Sequence, residues 1–545
     1  MIIRCKRIVL FIVFCGLIVA LASIIHWRQV AVYTASLDTR PFHLGLVGEI
    51  NSIEPAKLSN HPESLLASAI YEGLLCFDEE KGEIKPALAR KWKYSSDGKS
   101  LTLYLRGDVQ FHNGKKLTAA DVKASWERNL GSLKDWSNVS LFLPIAGCAE
   151  RLQGKNIDIY GIKVLNEHTL KITLLQPNRV FIYSLGHPLF WVFDSEDNND
   201  PLAGTGPFIF QENKENKKFF LIKNEKYYRG NPHLAGINVQ VFPDEQQAMD
   251  DYKSGKLDFL DTVPLEEIKK IRKASEYKGL YIEKPILETY SLVFNLNKKP
   301  FAGNYYLRRA LNYAIDRKKI NDEVFGGSCL SAKGAIPTGI PGYSEEMQGY
   351  SYKPEKAKEL LEEAGYPGGY DLPPLLLTYN SGEAHKMIAE AVAAQLAQLG
   401  ITVQTQALDW NYYRKQMSSM NMSFFRLGWK ADYPHADSFL YSLYHSSQIG
   451  NSNFSGYNNP QVNKILESSR AATNEKERNA LLRKAEQIVV DDAPCLWLFQ
   501  KKAAKLLGKD VDSLTIDAME MIDWYQVELF KPGVNQGGDA VKKKV

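Results

Sequence analysis

Residues 383–407 read EAHKMIAEAVAAQLAQLGITVQTQA, and their reading decides the fold class. Ile388, Val392, Leu396 and Leu399 recur at helical spacing, so 383–399 predicts an amphipathic helix. Gly400 ends it, and 401–407 reads as a strand. A helix followed at once by a strand belongs to an α/β architecture.

Outward from this unit the same alternation continues without a low-complexity linker. Leu307, Leu311, Ala314 and Ile315 form one apolar stripe, and Ala357, Leu360, Leu361 and Ala364 form another, stopped by Gly365. Asn474 and Glu477 open a further helix with Leu481, Leu482, Ala485, Ile488 and Val489 facing inward. Thr118 predicts an N-cap with Asp121 in the capping-box position and Leu117 placed to staple onto Val122. Just before it, Leu101, Leu103 and Leu105 alternate, Gly107-Asp108 turns the chain, and Val109 and Phe111 resume. With Asn113-Gly114 turning the chain again, this stretch predicts a hairpin.

A chain of 545 residues, 44% hydrophobic and 24% charged, buries a large core and has length for roughly three or four domains. Its net charge is +4, and Arg4, Lys6, Arg7 and Arg28 flank an apolar N-terminus, so the remainder is close to neutral. That balance argues against a nucleic-acid partner. The apolar run 8–25 behind Arg4, Lys6 and Arg7 makes 1–30 a signal sequence or an N-terminal membrane anchor. Ala20-Leu21-Ala22 before Ser23 fits a cleavage site, while Ile24 and Ile25 extend the run past it, and both fates stay open. Phe14 ahead of Cys15 does not fit a lipoprotein signal. Either way the chain leaves the cytoplasm. Cys76, Cys148, Cys329 and Cys495 allow three pairings, none specified by spacing, and no Cys-x-x-Cys or Cys/His metal spacing occurs. Neither a metal nor a cofactor is expected. The segment 531–545, with Lys542, Lys543 and Lys544, reads as a flexible solvated tail.

The chemistry-bearing stretch is 424–440, FFRLGWKADYPHADSFL. Arg426 stands six residues before Asp432, with Trp429 between them. An extended peptide carries an ammonium at one end and a carboxylate at the other, and charge-assisted hydrogen bonds to such ends are strong contacts. The same residues also suit a turn and an internal salt bridge. No Gly-x-Ser-x-Gly elbow, His-Glu-x-x-His or Walker phosphate loop occurs, so catalytic residues are not expected and a secreted hydrolase is the weaker reading.

Six blocks in order carry a resemblance to a known family. They are IKPALARKWKYSSDGKSLTLYLRGDVQFHNGKKLTAADVKASWER (84–128), GTGPFIF (204–210), VFNLNKKPF with LRRALNYAIDRKKI (293–320), KPEKAKELLEEAGYP (353–367), and NFSGYNNPQVNKIL (453–466). Over about residues 44 to 530 the chain resembles the solute-binding proteins of bacterial ABC importers, family 5, the oligopeptide- and dipeptide-binding group. The resemblance implies an α/β, bilobed periplasmic-binding-protein-like fold of the large type II or cluster C kind, with an extra domain on one lobe. Lobe I would comprise 42–61, 185–285 and 497–530, the additional domain 62–184, and lobe II 286–496. It also implies a monomer in the periplasm or on the outer face of the cytoplasmic membrane. Short peptides would be its ligands, and the ABC permease and ATPase would be separate chains. Membrane association would run through the N-terminal segment.

Within the family the 424–440 block looks like the oligopeptide branch. That resemblance gives Asp432 the peptide's α-ammonium and Arg426 its carboxylate, makes Trp410 and Trp429 side-chain pocket walls, and places His385 near a longer ligand's carboxylate and Glu49 in the cleft lining. Each has a plainer reading. Asp432 fits a turn, Arg426 an ion pair within its lobe, and the two tryptophans a core, while His385 sits one turn before Ile388 on a helix edge. Two departures stand out: Met417 replaces a family arginine, and Lys430 a disulfide-forming cysteine. They leave room for murein peptides, metal chelates, haem or a signalling peptide as the ligand. Closure of a cleft would place the hinge near 281–292 and 492–502, where the chain crosses between lobes.

Overall fold

The computed structural model describes residues 40–133, 139–155, 158–196, 203–213 and 218–531. The expected signal sequence or anchor over 1–30, and all but the first residue of the expected tail, lie outside these residues. Among the described residues no helix is long and apolar enough to cross a membrane.

Eleven strands among the described residues form one mixed sheet. Two long antiparallel strands, Tyr281–Phe294 and Cys495–Leu507, run through its middle. From the first, the sheet continues through Phe424–Lys430 and Leu375–Asn380 to an edge at Val403–Leu408. From the second, it continues through Phe259–Leu260, Phe42–Val47 and Gly236–Phe242 to Lys218–Lys223 and Phe208–Asn213. Leu375–Asn380 pairs parallel with Val403–Leu408, and the helix Glu383–Ala397 makes the crossover that parallel strands require. This is the helix–strand unit expected from 383–407.

The apolar side chains gather around this sheet in separate cores. Phe42, Leu44, Leu66, Ile237 and Trp524 belong to one half, and Leu292, Leu311, Leu377, Val392 and Leu396 to the other. Another body carries a four-stranded antiparallel sheet in the order Ala89–Tyr94, Ser100–Leu105, Thr169–Thr173, Ile162–Asn166. Its core holds Trp126, Phe142 and Phe190, and Tyr433, from the half that carries Asp432, packs into it. Contact between these bodies continues where the Arg179 backbone N–H donates to the Arg470 carbonyl at 2.8 Å.

Local signals set these elements. Thr118 and Asp121 form the reciprocal capping box at the start of Ala119–Ser132. The Asn474 side chain accepts from the N–H groups of Lys476 and Glu477. Gly365 ends the helix Pro354–Glu363 region with φ at +85°, a left-handed conformation that costs glycine little. The expected hairpin differs from what forms. Ser100–Leu105 pairs with Ala89–Tyr94 and Thr169–Thr173, while Gln110 and Lys116 bridge across the Asn113-Gly114 turn. Leu101, Leu103 and Leu105 are all buried, so their face needs a broad sheet over the core, and alternation marks a strand without naming its partner. Cys76, Cys148, Cys329 and Cys495 are all free thiols.

Candidate functional site

The two central strands part company at a proline. Pro285 has no N–H to give, and the ladder with Cys495–Leu507 breaks between Pro285 and Thr289. Leu287 donates its N–H to the Ala518 carbonyl instead, at 2.9 Å, and the Gln500 side-chain amide donates to the Ile286 carbonyl at 3.1 Å. A cavity of about 750 Å3 opens at this break, with Ile286 and Glu288 in its wall. Asn60, His61 and Asp261 face it from one half of the sheet, and Lys430 and Asp432 from the other.

Asp432 also lines a second cavity of about 670 Å3, walled by Leu143, Pro144 and Phe181 on one side and by Tyr441 and Arg470 on the other. Its backbone N–H donates to the Ser438 hydroxyl at 2.9 Å, and Trp429 donates its indole N–H to the Ser438 carbonyl at 3.0 Å. These two bonds fix the segment. The Asp432 residue is partly buried and lies in the walls of both cavities. No hydrogen bond from the described residues reaches its carboxylate, and desolvation alone pushes its carboxyl up to about 7.

Other charges in the wall are paired. Lys430 reaches Glu520 at 2.8 Å, Glu520 reaches Lys505 at 3.0 Å, and Lys505 reaches Asp261 at 2.7 Å, with His61 3.1 Å from the same Asp261 oxygen. This chain of alternating charge crosses from one half of the sheet to the other. Lys501 pairs with Glu288 at 2.5 Å. The carboxylates of Asp121, Asp194 and Glu196 lie close enough together to chelate a cation, but the Lys115 ammonium bridges all three at 2.7, 3.0 and 3.5 Å.

The expected site residues fall at different distances from this cavity. Asp432 lies in its wall, and Trp429 braces Asp432 from the adjoining core. Arg426 lies further along the strand Phe424–Lys430, with Nη1 donating to Asn380 Oδ1 at 3.1 Å and the guanidinium 5.0 Å from the centre of the Tyr290 ring. His385 Nδ1 is 3.3 Å from the Tyr290 hydroxyl. Burial first, and then the charges of Arg426 and Lys501, bring its imidazole down to about 4, so it is neutral at physiological pH. Trp410 opens the helix Trp410–Ser418, half exposed, its ring stacked 6.3 Å from Tyr413. Glu49 is exposed, and its backbone carbonyl accepts from the side chain of Asn60, which does line the cavity. Met417 packs beside the same core as Trp429.

Sequence reasoning passed over Lys501, Lys505, Glu288 and Glu520. A signal existed in QKKAAK, 500–505: lysines an even number of residues apart on a strand share one face, as Lys501 and Lys505 do here.

The bacterial extracellular solute-binding proteins, family 5, match this chain over residues 83–451. Heme-binding protein A of Haemophilus influenzae is 31% identical over 453 residues, 79% of this chain and 81% of its own length. Among solved structures, an MppA periplasmic murein tripeptide-binding protein in an unliganded open form superposes with a TM-score of 0.77 at 27% identity, covering 91% of this chain and 98% of that one. The Haemophilus influenzae OppA complex with the peptide RPPGFSPFR gives 0.71 at 26% identity, covering 91% and 100%. At nearly equal identity the overlap is greater with the open form. The chain therefore belongs to the bacterial extracellular solute-binding proteins of family 5.

Proposed function

We propose that this protein captures short peptides with free termini outside the cytoplasm and passes them, unchanged, to the ABC permease and ATPase of separate chains. Asp432 carries the reading. A desolvated carboxyl group, unpaired among the described residues and open to two cavities, is poorly suited to holding a fold together and well suited to receiving an ammonium. The ligand's backbone between its ends is the same for every peptide, so recognition of termini tolerates many sequences.

In this reading 42–61, 185–285 and 497–530 act as lobe I, 62–184 as the additional domain and 286–496 as lobe II, and the lobes close by bending where the ladder breaks at Pro285. The protein works as a monomer in the periplasm or at the outer face of the cytoplasmic membrane, with 1–30 as signal or anchor.

A second reading keeps the binding role and changes the ligand. Lys430 in the cavity wall suits a ligand bearing an additional acidic group, and relatives are named for haem and for murein tripeptide. Mass spectrometry of the protein after incubation with a peptide mixture separates these readings. Intact bound peptides of varied sequence are expected. Time-dependent cleavage of the mixture would contradict the proposal, and retention of haem or murein tripeptide alone would replace the first reading with the second.

A further inference from the structure

We infer that Lys501 joins Arg426 in the seat for the ligand's carboxylate, and that Glu288 holds Lys501 in the unliganded protein. The inference rests on the peptide reading above and adds residues to it. Strand register places the three groups. Opposite Phe424–Lys430, Glu288 stands against Lys430, Tyr290 against Gly428 and Leu292 against Arg426. On the other side of the same strand, Tyr290 stands against Phe499. Side chains two apart on a strand share a face, so Arg426, Gly428 and Lys430 form one row beside Glu288 and Tyr290, with Lys501 two positions beyond Phe499.

Gly428 is the point where the row closes up. A Cβ built there would lie 2.5 Å from Nη2 of Arg426 and 3.6 Å from Oε1 of Glu288. The guanidinium therefore lies back across the bare glycine towards Glu288, whose carboxylate is itself 2.5 Å from the Lys501 ammonium. Arg426 still has hydrogen-bonding capacity, since its buried Nε has no partner. Glu288 and Lys501 line the cavity that holds Asp432, and the Arg426 guanidinium lies across Gly428 from Glu288. His385, close enough to feel both positive charges, stays neutral and adds a polar edge.

Glu288 pairs with Lys501, while Arg426 donates to the neutral Asn380 amide, so the seat keeps a net positive charge. An arriving carboxylate competes with Glu288 for Lys501, so the Glu288 pairing lowers affinity and favours ligands whose carboxylate reaches both cations. Lys501 presents a point charge and Arg426 a planar fork, so the two are complementary rather than redundant.

Calorimetry with tetra-alanine and with its C-terminal amide tests this on wild type, Lys501→Met, Glu288→Gln and Gly428→Ala. Lys501→Met is expected to weaken binding of the free acid about tenfold or more and to leave the amide unchanged. Glu288→Gln is expected to strengthen binding of the free acid, a gain that misfolding cannot imitate. Gly428→Ala, by displacing the guanidinium, should weaken the free acid more than the amide. Equal effects of Lys501→Met on both ligands, or no gain in Glu288→Gln, would overturn the carboxylate seat while leaving the peptide reading standing. Failure of wild type to bind either ligand would overturn both.

Discussion

Asp432 and Asp437 lie five residues apart on one short segment, burial raises the carboxyl of each, and they have opposite fates. Asp437 accepts from Arg470 Nε at 2.9 Å, from Arg470 Nη2 at 2.7 Å and from the Tyr433 hydroxyl at 2.7 Å. Burial pushes its carboxyl upward, but the Arg470 charge and these hydrogen bonds overcome it and hold the group below the ordinary carboxylate range. Asp432 has the burial without the partners, and its carboxyl rises to about 7. The first arrangement is a finished structural ion pair. The second is a desolvated acid with no countercharge among the described residues, and in the proposed reading a ligand's ammonium supplies it.

The contrast breaks most visibly at Asp437. Asp437→Asn leaves Arg470 buried without its counterion, and removal of one partner from such a pair costs about 3–5 kcal/mol. Denaturant unfolding should show a loss of that order, with no remedy from peptide. The pair's contribution follows a definite pH sign. Since the folded group titrates below its unfolded value, its stabilisation is present above about pH 4 and is lost as the pH falls through the folded value.

Asp432→Asn should behave in the opposite sense, with a smaller effect. The folded carboxyl titrates near 7 and the unfolded one near 3.9, so this group's contribution is complete at low pH and is lost as the pH rises from about 4 towards 7. Asparagine carries no such deficit. The unliganded variant should therefore match wild type near pH 4 and exceed it at pH 8 by about 1 kcal/mol, a figure reduced from the full shift because water in the cavities screens the charge. Thermal melts of both proteins across this range check the sign. A variant less stable than wild type at pH 8 would mean that Asp432 is a structural group after all.

The fold class was legible in the sequence because its signals are local. The stripe from Ile388 to Leu399, the Thr118–Asp121 box and the Asn474 cap each act within a few residues, and each forms as expected. Pairing between distant strands is not local, which is why Leu101–Leu105 was assignable as a strand but not to its partners. The site divides in the same way. Asp432 stood out because charge, tryptophan and proline crowd one stretch of chain. The facing groups Lys501, Glu288, Glu520 and Asp261 are scattered through sequence and meet only when the register of the central strands brings them together. Trp410 sits at the first turn of its helix with the ring half in solvent.

The most direct test of the central claim, that Asp432 is the vacant partner of a ligand ammonium, is calorimetric titration of free and N-acetylated tetra-alanine into wild type and Asp432→Asn at pH 8. Charge-assisted hydrogen bonds contribute about 1.5–3 kcal/mol, so wild type should prefer the free amine about tenfold or more. Asp432→Asn should lose that preference by weakening only the free peptide. Equal affinity of wild type for the free and the acetylated peptide would contradict the account.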